Sequence, residues 1–178
     1  MEKGELDMAQ VTSAEAVKYL RKLGEQRDAL LAMEKKAKSF TAAIQEDTES
    51  VRPAYDYKKV QDEIEELEGK IRQLKHSINC FNISCEVPGF NMTIDQMLVY
   101  IPQLTGRKKK LETMKARLPK ERVNDAFSRG GSIIEYNYAN YDIAAVEADY
   151  NTVSDELARA QNALDTVNAT VQFEAEIS

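Results

Sequence analysis

The chain has 178 residues, of which 30% are charged, 43% hydrophobic and 7% aromatic, with seven Gly, four Pro, no Trp and a formal net charge of −6. This is the composition of long exposed helices; it leaves little material for a loop-built active site, and with few large side chains burial has to come from helices pairing with one another. No stretch approaches the roughly 18 apolar residues of a membrane span, and the opening MEKGELDMAQ lacks the apolar core of a secretory signal, so the expectation is a cytoplasmic protein with no membrane partner.

Ala16, Leu20, Leu23, Arg27, Leu30, Glu34, Ala37, Phe40 and Ile44 follow heptad spacing and predict a first helix, within an N-terminal segment of residues 1–50. Arg27 and Glu34 fall on its seam, where polar residues fix register or partner at some cost in stability. Residues 51–178 are expected to form a core of helical hairpins. Its first helix carries Val60, Ile64, Leu67, Ile71, Leu74, Ile78 and Phe81 at unbroken heptad intervals. A short strand is expected near 83–87, bracketed by Cys80 and Cys85, whose spacing fits neither a CxxC pair nor a metal site and which read as two buried thiols.

The third helix holds Ile94, Met97, Ile101, Leu104, Lys108, Leu111, Lys115 and Leu118 in similar register. Thr93 and Gln96 form a capping box at its start, Pro119 stops it, and Pro102 inside it removes one hydrogen bond and should kink it. From Arg107 to Arg129 there are nine basic residues against three acidic ones; from Glu135 onward there are nine acidic residues against Arg159 alone. Opposite fields of this kind favour two segments lying side by side, within one chain or between chains. A second strand is expected near 132–138, where Ile134, Tyr136 and Tyr138 alternate with Ile133, Glu135 and Asn137. The last helix carries Val146, Tyr150, Val153, Leu157, Ala160, Leu164 and Val167, the same heptad intervals 86 residues after the second helix, and a third strand is expected near 170–177. Each of these two helices leaves at an Asn, Asn82 and Asn168, a residue that tolerates the left-handed conformation at helix ends. The 86-residue offset fits a duplication or two similar hairpin arms equally well.

The expected fold class is therefore mostly α: antiparallel coiled-coil helical hairpins with a small β-sheet at the helix ends, in an oligomer. The stripes are too long and narrow for one folded chain to cover, so copies of the chain are the expected partner.

The stretch from Ile71 to Leu118, with LKHSIN, FNISCEV and PGFNMTIDQML, resembles the helix-turn-strand-helix core of the septicolysin-like family of small bacterial helical proteins. The resemblance resumes in YNYANYDIAAVEADYNTVSDELARAQNALDTVNATVQFE, where Asp142, Asp149, Leu157, Leu164, Asp165 and Asn168 match an Asp-led helix ending in an Asn and a short strand; it covers about residues 57–177. This chain departs from the family pattern at Val99 and Tyr100, where the family has an Arg pair, and at Ala169, where it has a Trp. The N-terminal helix lies outside the resemblance. The lytic activity that the family name implies has no support in these residues.

Catalytic chemistry has little to work with. His76 is the one imidazole and reads as a solvated or pairing side chain; GxGxxG, GxxxxGKS and HExxH are all missing; and the acidic run Glu63, Glu65, Glu66 and Glu68 alternates with cations as helix flanks do. No cofactor is expected. Two features fit a binding site. The basic run from Arg107 to Arg122 suits phosphate groups, and equally suits pairing with the acidic last helix; the acidic whole disfavours nucleic acid. The tyrosines Tyr136, Tyr138, Tyr141 and Tyr150, with asparagines near the helix ends, suit a nucleotide-like ligand as well as they suit a plain interface. The candidate ligand set is Asn82, Asn91, Tyr100, Arg107, Lys108, Arg129, Tyr136, Tyr138, Tyr141 and Asn168. The functional expectation is a non-enzymatic oligomeric protein that captures a small anionic, nucleotide-like ligand between protomers, as small phage-encoded sponge proteins sequester signalling nucleotides in anti-defence. The alternative is a structural or adaptor coiled coil acting through protein contacts, and an enzyme ranks last.

Overall fold

A computed structural model describes residues 8–123 and 134–176. In chain order the elements are β1 (Met8–Thr12), α1 (Ser13–Ala37), α2 (Thr48–Val51), α3 (Tyr57–Ser84), β2 (Glu86–Val87), β3 (Met92–Thr93), α4 (Ile94–Lys115), β4 (Lys120–Arg122), β5 (Tyr136–Tyr138), α5 (Ile143–Thr170) and β6 (Gln172–Glu176). The protein is mostly helical, with small antiparallel strand pairs β1–β6, β2–β3 and β4–β5. Among the described residues no helix is long and apolar enough to cross a membrane.

The chain divides into two compact units, residues 1–85 with 166–178, and residues 86–165, a division that does not coincide with the boundary expected near residue 50. The reason is β1, which the sequence pattern does not announce. It pairs with β6 over five residues, from Met8↔Glu176 to Thr12↔Gln172, and so ties the N-terminal helix to the other end of the chain.

In the first unit, α1 and α3 pack as an antiparallel pair, with Glu34 near the end of α1 meeting Tyr55 and Gln61 at the start of α3. The buried centre is Val11, Ala16, Leu74 and Ala175, with Leu20, Leu23, Ile78 and Phe173 packed around it. Phe81 and Phe173 stack with centroids 4.4 Å apart. α1 starts at a capping box, Thr12 and Glu15 exchanging hydrogen bonds through side chain and backbone. It ends at Ala37, earlier than the heptad run implied: Phe40 lies beyond the helix, under the Arg52 guanidinium at 5.3 Å, and Ile44 is fully exposed.

In the second unit, α4 begins at the expected Thr93–Gln96 capping box and continues through Pro102. Tyr100 reaches Glu156 and Tyr141 reaches Met114, so α4 and α5 run antiparallel. Their buried positions are those of the heptad stripes: Ile94, Met97, Leu104 and Leu111 on α4, and Val146, Val153, Leu157, Ala160 and Leu164 on α5. β2 and β3 are joined by a tight turn in which Phe90 N–H donates to the Val87 carbonyl at 3.2 Å. Pro88 and Gly89 occupy its two central positions, and Gly89 has φ 82°, the positive value that a type II turn requires at the second of them.

Several expectations need correction. Ile83 and Ser84 are the last turn of α3, so the strand near 83–87 shrinks to Glu86–Val87. The strand near 170–177 is Gln172–Glu176, because α5 keeps Thr170. Of the run 132–138, Tyr136–Tyr138 form β5, while residues 132 and 133 lie outside the described residues. Cys80 is exposed and Cys85 half-buried, so neither is a core thiol: α3 turns its other face, Leu74 and Phe81, inward.

The element order contains the same block twice. Residues 8–87 run strand, helix, connection, helix, strand, and so do residues 92–176. α3 and α5 are both 28 residues long and begin 86 residues apart. Thr93 follows Thr12 by 81 residues, each caps its helix, and the same offset aligns Met97 with Ala16, Leu104 with Leu23 and Leu111 with Leu30. β1 and β2 of the first block pair with β6 and β3 of the second. Replacing the fully buried Leu74 by Ala should destabilise the chain by about 2–5 kcal/mol, whereas Ile44→Ser should change stability by less than about 0.5 kcal/mol, both read from denaturant unfolding.

Candidate functional site

Two lysines sit where the heptad stripe of α4 would otherwise be apolar. Lys108 and Lys115 are one heptad apart and half-buried. Opposite them α5 presents Tyr150, also half-buried, and the two ammonium groups approach its ring, Lys115 Nζ at 3.8 Å from the centroid and Lys108 Nζ at 5.6 Å. A ring face attracts a cation by its quadrupole, worth about 0.5–1 kcal/mol at an exposed site, and so offsets part of the repulsion between the two.

Just beyond the helix, β4 and β5 repeat the motif. Lys120 stands opposite Tyr138 and Arg122 opposite Tyr136. Lys120 Nζ lies 4.0 Å from the Tyr136 centroid and 5.5 Å from that of Tyr138. The chain is fastened here by the Tyr141 hydroxyl, which donates to the Met114 carbonyl at 2.9 Å, and by Ala139 N–H, which donates to the Pro119 carbonyl at 3.1 Å. Both bonds hold the C-terminal end of α4 and its exit, the Met114 carbonyl accepting from Arg117 N–H as well.

The basic run of α4 and β4 is left without carboxylate partners. Among the described residues, none of the eight Lys and Arg from Arg107 to Arg122 has a carboxylate within ion-pair distance. Half of the described cations elsewhere do, among them Arg21 with Glu25, Arg52 with Glu49, Lys58 with Asp62, Lys70 with Glu66 and Arg159 with Glu156. α5 thus meets the basic run with a tyrosine ring, where the sequence suggested its carboxylates.

The corresponding place in the first block is filled differently. Lys108 and Lys115 align with Arg27 and Glu34, and Tyr150 with Ile64. Arg27 is bound to the neighbouring Asp28 carboxylate at 2.7 Å. Glu34 accepts hydrogen bonds from the Tyr55 hydroxyl and the Gln61 amide, both at 2.7 Å, and the first of these raises the Tyr55 hydroxyl to about 12. One block therefore closes its polar seam internally. The other leaves two like charges on an aromatic face, an arrangement that an anion would complete.

The expected ligand residues are only partly gathered here. Tyr136 and Tyr138 sit by Lys120 and Tyr141 on Met114, at and just beyond the C-terminal end of α4, while Lys108 lies two turns earlier against Tyr150. Tyr100 lies about 20 Å along α4 from Lys115, by helical rise. Its hydroxyl donates to Glu156 at 3.3 Å, and burial followed by the Glu156 carboxylate raises it above the usual phenol range. Arg107 is exposed on α4. Asn91 ends the β2–β3 turn with φ 49°, a backbone role. Asn82 and Asn168 belong to the first unit, half-buried near the ends of α3 and α5 at equivalent positions. Arg129 lies outside the described residues. Lys115, Lys120 and Tyr150 were missing from the expected set. For Lys115 and Tyr150 the signal was present: both occupy stripe positions, where a lysine calls for a partner on the facing helix. Among the described residues no group of His, Cys, Asp and Glu is placed to hold a metal ion.

No family model and no curated protein matches the sequence. Among solved structures, a functionally unknown conserved protein from Corynebacterium diphtheriae is similar over 93% of this chain and 99% of that one, with a TM-score of 0.59 and 16% identity. A likeness at that identity is one of fold, and it carries no activity with it.

The Tyr55–Glu34 bond gives a pH signature. The folded hydroxyl titrates near 12, above the ordinary tyrosine value of 10.0, so the stabilisation is complete below about pH 10 and is lost as pH rises through about 12. The stability difference between the parent chain and Tyr55→Phe, measured by urea unfolding, should be constant up to about pH 10 and shrink toward pH 12.

Proposed function

We propose that the chain is a non-enzymatic binding protein that takes a small anionic, nucleotide-like ligand at the lysine–tyrosine cluster, in an assembly of several copies. The observation that carries this is the pair Lys108 and Lys115 over Tyr150, without a carboxylate, where the matching position of the first block is closed by Glu34. A phosphate bridging the two ammonium groups supplies the missing charge. Tyr136 and Tyr138 are 42% and 61% exposed, so ring surface remains for a base to stack upon.

The second copy enters through the apolar rim of the same region. Leu118, Val123 and Ile134 are 60%, 39% and 57% exposed beside the strand pair β4–β5. A neighbouring protomer seated there buries these side chains and encloses the bound ligand, which suits sequestration of a signalling nucleotide, including in phage anti-defence. The resemblance to septicolysin-like proteins adds no ligand to this reading.

A structural or adaptor role is the second reading, favoured by an open groove of about 540 Å³ between α1 and α3. It is lined by Ala29, Leu30, Met33 and Leu67 together with Glu63, Glu66 and Lys70. Helix grooves of that composition receive partner helices.

Thermal unfolding with inorganic phosphate, cyclic dinucleotides and ADP-ribose derivatives, with native mass measurement alongside, tests the first reading. A ligand at a hundredfold its Kd should raise Tm by about 5 °C or more. Lys108→Ala with Lys115→Ala should abolish the shift, and Arg27→Ala should leave it. Absence of any shift across the panel, or a shift that survives the double change, overturns the proposal.

A further inference from the structure

The first unit holds a different chemistry. Cys80 and His76 lie one turn apart on the exposed side of α3, with Sγ 3.6 Å from Nε2. They open on a cavity of about 280 Å³ that is also lined by Ser77, Ser84, Glu174 and the stacked rings of Phe81 and Phe173. We propose that Cys80 is a site of reversible thiolation, taking small disulfides that carry no negative charge on the transferred half, with His76 accepting the thiol proton.

Three observations converge on it. Position and partner come first: an exposed thiol beside an imidazole, facing a pocket with one apolar wall, puts a sulfur nucleophile, a proton acceptor and room for a small electrophile in one place. The second is that the pair does not belong to the repeated framework. The residues that align with His76 and Cys80 on α5 are Asn162 and Thr166, while the helix that carries them keeps its length and stripe. The third is charge: Glu174, whose Oε1 accepts from Gln10 at 3.3 Å, is the one carboxylate lining the cavity and disfavours an incoming anion.

The exchange balances without a further reagent. With the imidazole proton on Nδ1, Nε2 takes the proton from Cys80 Sγ. The thiolate attacks one sulfur of the disulfide, the new S–S bond forms as the old one breaks, and the departing thiolate leaves as a thiol with the proton held on His76. Cys80 is oxidised and the released thiol is the reduced product; a small thiol in excess reverses the step. Cys85, half-buried and with its thiol pushed up by burial, is an internal comparison.

The test incubates the full chain with cystamine and, separately, with dithiodiglycolate, follows intact mass over time and maps the adduct. N-acetylcysteine serves as the solution reference thiol. Expected is a single cysteamine adduct on Cys80 ahead of Cys85, removed by reductant. His76→Gln should slow it by about threefold or more with an unchanged unfolding midpoint. Dithiodiglycolate should be disfavoured relative to its reaction with the reference thiol, and Glu174→Gln should remove that preference. Modification of Cys80 no faster than of Cys85, or a rate indifferent to His76→Gln, overturns the site; equal relative rates for the two disulfides overturn its charge selectivity.

Discussion

The antiparallel pairing of β1 with β6 is the constraint on which the rest of the architecture turns. Five residues at each end of the described chain form one ladder, and Thr12, its last member, is also the cap of α1. The start of α1 is thereby fixed beside Ala175, and Ala16 closes the small centre around Leu74. A strand pair this short is marginal alone; it persists because Val11 and Ala175 are buried against helices. The ladder is the reason the first unit contains both the beginning and the end of the chain.

Within that frame the two blocks use one scaffold for two purposes. Their capping threonines, their apolar stripes and the lengths of α3 and α5 correspond, so differences between them stand out against a common background. At the polar seam the first block satisfies itself through Glu34, Tyr55 and Gln61, and the second collects lysines on tyrosine rings. Near the helix exits the first block carries a thiol and an imidazole where the second has a hydroxyl and an amide. Framework residues correspond between blocks, and chemistry-bearing residues do not.

The helices were legible because stripes such as Val60 to Phe81 and Val146 to Val167 have one interpretation under 3.6-residue periodicity. β1 was not, since MAQVT is short and its partner lies at the far end of the sequence; pairing across such a separation leaves no local pattern. The end of α1 was overrun for the opposite reason: Phe40 and Ile44 continue the spacing, but spacing alone does not keep a helix going once the facing helix has ended near Tyr57. The candidate site was half legible. Composition pointed to the basic run and the tyrosines, yet the decisive contacts, Lys115 and Lys108 on Tyr150, depend on which positions of α4 and α5 face each other.

The turn at Pro88–Gly89 joins the two blocks, and its place in the topology has a consequence for how the chain is held together. Both strands before that turn find their partners after it, β1 with β6 and β2 with β3, while β4 and β5 pair with each other. Two polypeptides made by opening the backbone there would each hold one half of both ladders and could complete neither by themselves. Reassociation, with each fragment supplying the missing edge of the other, is then the only route by which both ladders re-form, which makes the protein a natural candidate for complementation between separately produced halves.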